Sequence, residues 1–348
     1  MKLMEKCAVV GMSILLTSVM PMSAFASPSF SDLFSFGDSL SDVGNVFVAT
    51  AVSQPQPQPQ PASPYANGQY SNGPIWIQGL SAGLWLGVQV PSLLGGNDYA
   101  FGGATTANAS TTSTEVPNLA QQVASFSRDH GGLAPSSALY TVWAGSNDIV
   151  NILAETADPA CATNPSSCVS DAALAEANDI RTLASLGARR FLIPFVPDLG
   201  ATPLLIGAGA VAQQNGTALA SVYNSTLQAS LNDLMTGTPG VDLRYLDVFN
   251  ILDAAIGDPA AFGLSNVTDP CYVGAETGGG IVCATPNQYL FWDQVHPTAV
   301  AHAFIAQAAL AEVPEPGTPF AIVIGLLAMG AVPYCLRRVV LQNKPSVT

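Results

Sequence analysis

A chain of 348 residues, 49% hydrophobic and only 10% charged, is long enough for one large α/β core or two smaller domains, one domain being the simpler expectation. Between Ser27 and Glu312 it carries five Arg and no Lys against 22 Asp and Glu, a formal charge of −17. Such a body is repelled by nucleic acid and anionic membranes, and without Lys it has no lysine base or Schiff base.

The first segment has Lys2 and Lys6, an apolar run from Cys7 to Met20, and Ala24-Phe25-Ala26. This order predicts a signal peptide over residues 1–26 and export; the run is short for a retained anchor. The mature body is expected over 27–312. Leu33-Phe34-Ser35-Phe36 predicts a buried strand that turns sharply at Gly37-Asp38-Ser39. Gln alternates with Pro from Ser53 to Pro61, which predicts a solvated polyproline-like insertion. Asp98 to Phe101, before Gly102-Gly103, is a weaker strand candidate. Ala138 to Trp143 precedes Gly145-Ser146-Asn147-Asp148, Arg190 to Val196 precedes Pro197-Asp198, and Val241 to Leu246 precedes Asp247. Helical periodicity is clearest over Asp171 to Leu186 and Thr217 to Met235. Strand alternating with helix predicts a mainly parallel, five-stranded sheet covered on both faces, with chemistry at the strand ends. Four cysteines lie in the body, and proximity favours Cys161 with Cys168 and Cys271 with Cys283 as disulfides, zinc binding being the alternative.

A serine hydroxyl becomes nucleophilic only with a base, a group that orients the base, and donors for the oxyanion. The imidazoles are His130, His296 and His302. His130 falls at an expected exposed helix end and His302 in an Ala-rich stretch. His296 follows Asp293 by three residues, so the carboxylate can fold back on the ring, and Pro297 can start the next helix and fix the imidazole at its mouth. Asp38, Asp42, Asp148 and Asp198 are expected to bind backbone amides.

The series Phe-Gly-Asp-Ser-Leu-Ser-Asp at 36–42, Tyr-Ala-Phe-Gly-Gly-Ala-Thr at 99–105, Trp-Ala-Gly-Ser-Asn-Asp at 143–148 and Asp-Gln-Val-His-Pro at 293–297 resembles the GDSL lipases and esterases, or SGNH hydrolases, especially their lecithinase and plant-lipase branch. The resemblance implies a three-layer α/β/α, flavodoxin-like sandwich. It implies Ser39 as nucleophile, His296 as base and then acid, Asp293 as orienting carboxylate, and an oxyanion hole of the Ser39 and Gly103 N–H groups and the Asn147 amide. Gly102 and Gly73 compete with Gly103 for the second donor, and Ser71 to Trp76, with Gly73 and Trp76, is expected to form either a substrate-side loop or an ordinary turn. No metal or organic cofactor is required. The substrate class is a small ester, a lipid or an acylated carbohydrate such as an acetylated polysaccharide; a reading of another class is an envelope or matrix protein that uses the same fold for binding.

Over 313–348, Val313-Pro314-Glu315-Pro316, an apolar span from Phe320 to Leu336 and Arg337-Arg338 resemble the PEP-CTERM sorting signal of Gram-negative bacteria. That resemblance implies an exosortase-type processing partner and at least transient anchoring at the cell envelope.

Overall fold

The computed structural model describes residues 30–53, 57–59, 64–106 and 116–313. The expected signal peptide and, apart from Val313, the expected sorting tail lie outside these residues, as does much of the Gln-Pro run.

In chain order the main elements are β1 (Leu33–Gly37), α1 (Asn45–Ser53), α2 (Trp76–Gly83), α3 (Leu119–Asp129), β2 (Leu139–Trp143), α4 (Ser146–Leu153), α5 (Pro165–Leu186), β3 (Arg190–Pro194), α6 (Pro203–Ala208), α7 (Ala210–Gly237), β4 (Asp242–Leu246) and α8 (Val248–Gly257). There follow β5 (Asn266–Pro270), β6 (Tyr272–Ala275), β7 (Gly278–Val282), β8 (Tyr289–Phe291) and α9 (Ala299–Glu312). Strands β1 to β4 pair in parallel in sequence order, with Phe36 beside Val142 and Ile193 beside Tyr245.

Alternation along these strands divides the core. Phe34, Phe36, Tyr140, Val142, Phe191 and Ile193 pack with residues of α3, α4, α5 and α7. Leu33, Leu139, Trp143, Leu192 and Leu246 pack on the other face with residues of α2, α8 and α9. The result is the expected three layers, since a strand buried on both faces must be apolar on both. Each fully buried large side chain adds roughly 1.5–3 kcal/mol. The long helices begin ahead of their predicted starts: Asn164 caps α5 by accepting from the Ser167 N–H, and Pro165 occupies its first turn.

The sheet has four regular strands, not five. The predicted strand around Asp98 does run beside β1, through the bonds Ser35 N–H to Asn97 O, Tyr99 N–H to Ser35 O and Phe101 N–H to Gly37 O. Its outer side meets the Val90–Ser92 segment, with Asp98 N–H donating to Val90 O and Ser92 N–H to Asp98 O, and Asn45 Nδ2 also donates to Asp98 O at 2.8 Å and Ala100 O at 2.9 Å. Asp98 itself is buried and bonds the Ser35 hydroxyl and the Val43 N–H. The segment therefore makes only isolated parallel bridges, to Ser35 on one side and Pro91 on the other, and no regular strand. Beyond β4 the chain forms two small pairings, β5 with β8 in parallel and β6 with β7 as a hairpin. Both disulfides have the expected partners, Cys161–Cys168 and Cys271–Cys283.

Candidate active site

Gly37, the last residue of β1, has φ +142°, and a Cβ there would sit 2.0 Å from the Trp143 carbonyl oxygen. Only glycine lets the chain turn so close to β2. The turn is then clamped by Gln122 of α3, whose Nε2 donates to Gly37 O at 2.8 Å while its Oε1 accepts from Gly37 N–H at 2.9 Å. Asp38 Oδ1 accepts the Leu40 N–H at 3.0 Å, and burial pushes the Asp38 carboxyl up to about 6. Ser39 therefore leaves the strand on a fixed elbow.

A second tight turn approaches it from the other end of the chain. Asp293 Oδ1 accepts the N–H groups of Val295 at 3.0 Å and His296 at 2.9 Å, which folds the carboxylate back over the ring. His296 Nδ1 lies 2.7 Å from Asp293 Oδ2, and Nε2 lies 2.8 Å from Ser39 Oγ. The three residues thus form one continuous hydrogen-bonded line, all buried yet not sealed. Burial works against charge on His296, but Asp293, with smaller help from Glu276 and Asp38, outweighs it and holds the imidazole above its ordinary value. Burial likewise works to raise Asp293, and the His296 charge with three hydrogen bonds outweighs it, leaving the carboxyl below its ordinary value. Such a line can take a proton from Ser39 Oγ onto Nε2 and stabilise the imidazolium that results.

Helix α9 does not begin at Pro297, as the sequence led us to expect, but two residues later, with the Thr298 side chain accepting from Ala301 N–H. The residues from Ser71 to Trp76 buttress this junction. Ser71 Oγ donates to Pro297 O at 2.9 Å, and Asn72 Oδ1 accepts the Ala299 N–H at 2.8 Å. Gly73 is buried against Ala299, and Trp76 is buried, edge-on to Trp143 and bonded through Nε1 to Ser41 Oγ. Neither lines the cleft. The aromatic residue expected beside the substrate is a core residue, and the loop positions the histidine turn.

The oxyanion donors expected from the sequence are brought together. Neither the Ser39 nor the Gly103 main-chain N–H has an acceptor among the described residues. Gly103 has φ +80° with open space where a side chain would be, whereas the Gly102 N–H is bound to Asp42 Oδ2 at 2.8 Å and a Cβ there would strike Tyr70. That places the free donor on Gly103. Asn147, in the first turn of α4, donates one amide hydrogen to Ala104 O at 2.9 Å, leaving the other toward the cleft. Asp148 accepts the Thr106 N–H and hydroxyl, pinning the glycine loop to the same helix, and burial pushes its carboxyl up to about 7. Asp198 accepts the Gly200 N–H and the Thr217 hydroxyl, and Asp42 binds three backbone N–H groups around the start of α1 together with that of Gly102, so both do the structural work expected.

The other imidazoles stand apart. His302 is buried, accepts the Trp76 N–H through Nδ1, and is pushed by burial down to about 3. His130 caps α3 and packs on Phe126. Sequence reasoning missed Tyr65, whose hydroxyl donates to Asp293 Oδ2 at 2.7 Å, and Glu276, which reaches the cleft from the β6–β7 turn. The glycine-rich Gly278-Gly279-Gly280 between two short apolar runs is a hairpin signal that could have exposed the second; nothing local marks the first. The cleft holds about 580 Å³ and has apolar walls that include Val46, Val116, Val150, Leu199 and Leu204. No group of side chains suited to a metal ion occurs among the described residues.

A family model described as GDSL-like lipase/acylhydrolase matches residues 33–309. Among curated proteins, a GDSL esterase/lipase of Arabidopsis thaliana is 27% identical over 81% of this chain and 89% of its own. A phosphatidylcholine-sterol acyltransferase of Aeromonas hydrophila is 26% identical over 84% of this chain and 93% of its own. Among solved structures, an acetylxylan esterase of Geobacillus stearothermophilus aligns over 82% of this chain and 95% of its own with a TM-score of 0.44 and 15% identity.

Proposed function

The chain belongs to the GDSL-like lipase/acylhydrolase family and is a carboxylic ester hydrolase of that type, and from this premise we propose that Ser39, His296 and Asp293 carry the hydrolysis through an acyl-serine intermediate. The observation that supports the assignment most is the 2.8 Å approach of His296 Nε2 to Ser39 Oγ beside two main-chain N–H groups that have no acceptor among the described residues. Ser39 Oγ attacks the ester carbonyl as His296 takes its proton, and the carbonyl oxygen, now negative, is held by Ser39 N–H, Gly103 N–H and Asn147 Nδ2. His296 returns the proton to the departing alcohol. Water then adds to the acyl group with His296 again as base, releasing the acid and restoring the Ser39 hydroxyl.

The direct test is covalent: a fluorophosphonate probe is expected to label Ser39 and to leave Ser39→Ala unlabelled. Labelling that persists in the variant would remove Ser39 from the reaction, and an unlabelled native protein would favour the non-catalytic binding reading. Asn147→Ala is expected to lower kcat by two to three decades, about 3 kcal/mol, with a smaller change in KM, because the amide meets charge that develops only in the transition state.

The apolar walls and the absence of Lys or Arg from the cleft lining favour an uncharged acyl chain. A short-chain ester, a neutral lipid and an acetylated polysaccharide all satisfy this, and activity against p-nitrophenyl esters of graded length beside acetylated xylan distinguishes them. Export, with release or retention by an exosortase-type system through residues 313–348, is also proposed. The two disulfides of the body support an oxidising compartment, and retention of the protein in cells lacking the processing enzyme is the corresponding test. No helix among the described residues is long and apolar enough to cross a membrane.

A further inference from the structure

Among the described residues that line the cleft, Glu276 is an acidic side chain with no task in the elbow or in the hydrolytic cycle. Glu276, with Thr277, makes the turn between β6 and β7 and lines the cleft together with Ser39 and His296. Its hairpin is firmly held. The Cys271–Cys283 disulfide closes its base, Tyr272 stacks on Trp292 at 5.7 Å, and the Tyr272 hydroxyl donates to Ala275 O at 2.7 Å.

The Glu276 carboxylate has neither a hydrogen bond nor an ion pair among the described residues. No arginine of the body is free to approach it. Arg128 pairs with Asp129, Arg244 with Asp242, Arg181 and Arg189 bond main-chain carbonyls, and Arg190 lies over Phe30. Burial raises its proton affinity, against a lowering from the His296 charge, with Asp293 adding to the rise. The carboxylate is half-buried and has no partner among the described residues, so a ligand cation that reaches it gains an attraction that water screens only in part. Tyr70 lines the same cleft but is buried, its ring 5.0 Å from that of His296 and close against Gly102, so it bounds the site rather than offering a free face.

The side of the ester is set by the proton. His296 Nε2 must reach the leaving oxygen, so the alcohol portion lies over His296, where Tyr70 and Glu276 flank it. We propose that Glu276, in the part of the cleft that Tyr70 bounds, forms a subsite for a cationic group on the alcohol portion of the ester, as in an aminoalkyl or choline-type ester. The inference rests on the hydrolase reading above and extends it to the leaving group.

The test compares S-acetylthiocholine with its uncharged isostere, in which carbon replaces the quaternary nitrogen, following thiol release at low ionic strength. The ratio of kcat/KM is expected to favour the cation about tenfold in the native protein, to fall toward one in Glu276→Gln, and to shrink as salt is added. Any effect of the substitution on His296 acts on both esters and cancels in the ratio. A native ratio near one, as a site that binds uncharged sugar hydroxyls would give, or a ratio that Glu276→Gln leaves unchanged, overturns the proposal. Failure of the hydrolase reading has a separate signature, namely no turnover of either ester and no fluorophosphonate label. Calorimetric titration with tetramethylammonium then decides the subsite: binding that Glu276→Gln loses supports it, and no binding overturns it.

Discussion

His296→Ala is expected to lower kcat for a chromogenic ester by about six decades, the loss found when the base of a serine triad is removed. The size follows from the arrangement. Among the described residues Ser39 Oγ has one acceptor for its proton, His296 Nε2 at 2.8 Å, and the buried Asp293 that stabilises the resulting charge is bonded to no other imidazole. The fold is expected to survive, because Asp293 would keep three hydrogen bonds, from Tyr65 Oη and from the main-chain N–H groups of residues 295 and 296. A melting curve measured beside the kinetics separates the two effects; a variant that melts normally yet keeps more than a thousandth of the native rate would contradict the assignment. In the native protein only neutral His296 can accept the proton. Because its pKa is raised, kcat/KM should climb with pH through a value above the ordinary 6.5 and level off once the imidazole is neutral.

The second large effect is structural. Gly37→Ala is expected to destabilise the fold by about 3–5 kcal/mol, combining overpacking with the cost of an L-residue at positive φ. The new methyl group would lie 2.0 Å from the Trp143 carbonyl oxygen, and backbone, unlike a flexible side chain, cannot swing aside. Relief requires β1 to separate from β2 or the elbow to shift, and either displaces Ser39 from His296. Denaturant unfolding of Gly37→Ala should show the lower stability, and the folded fraction should hydrolyse ester more slowly. A variant with native midpoint and native rate would mean that the elbow is far softer than its contacts imply.

The parts legible in the sequence were those with local signatures. An apolar run ending in turn residues marked β1 to β3, an alternating run before Asp247 marked β4, and Asp-x-x-His at a turn carried the information that carboxylate and ring lie face to face, because three residues are enough to bring them there. The elbow, glycine loop and asparagine could be placed at strand ends without knowing how the ends meet. Contacts between distant segments were not legible. Tyr65 reaches Asp293 across 228 positions, and Gln122 clamps Gly37 across 85, with no periodicity to announce either. Trp76 was assigned to the wrong environment because an aromatic residue after a turn has the same local pattern whether it faces substrate or core; the packing of α2 on α9 and Trp143 decides it. The Asp98 segment forms isolated bridges in place of a regular strand, and its contacts come from Val90 to Ser92 and from Asn45, 53 residues away.

The same border governs how the molecule meets its neighbours in solution. A sheet edge with unpaired main-chain groups is a template on which a second extended chain can assemble. Here the Val90–Ser92 segment pairs with Asp98, through Asp98 N–H to Val90 O and Ser92 N–H to Asp98 O, and Asn45 fills Asp98 O and Ala100 O as well. Together these contacts engage main-chain groups that an incoming strand would need, and so guard that border against polymerisation.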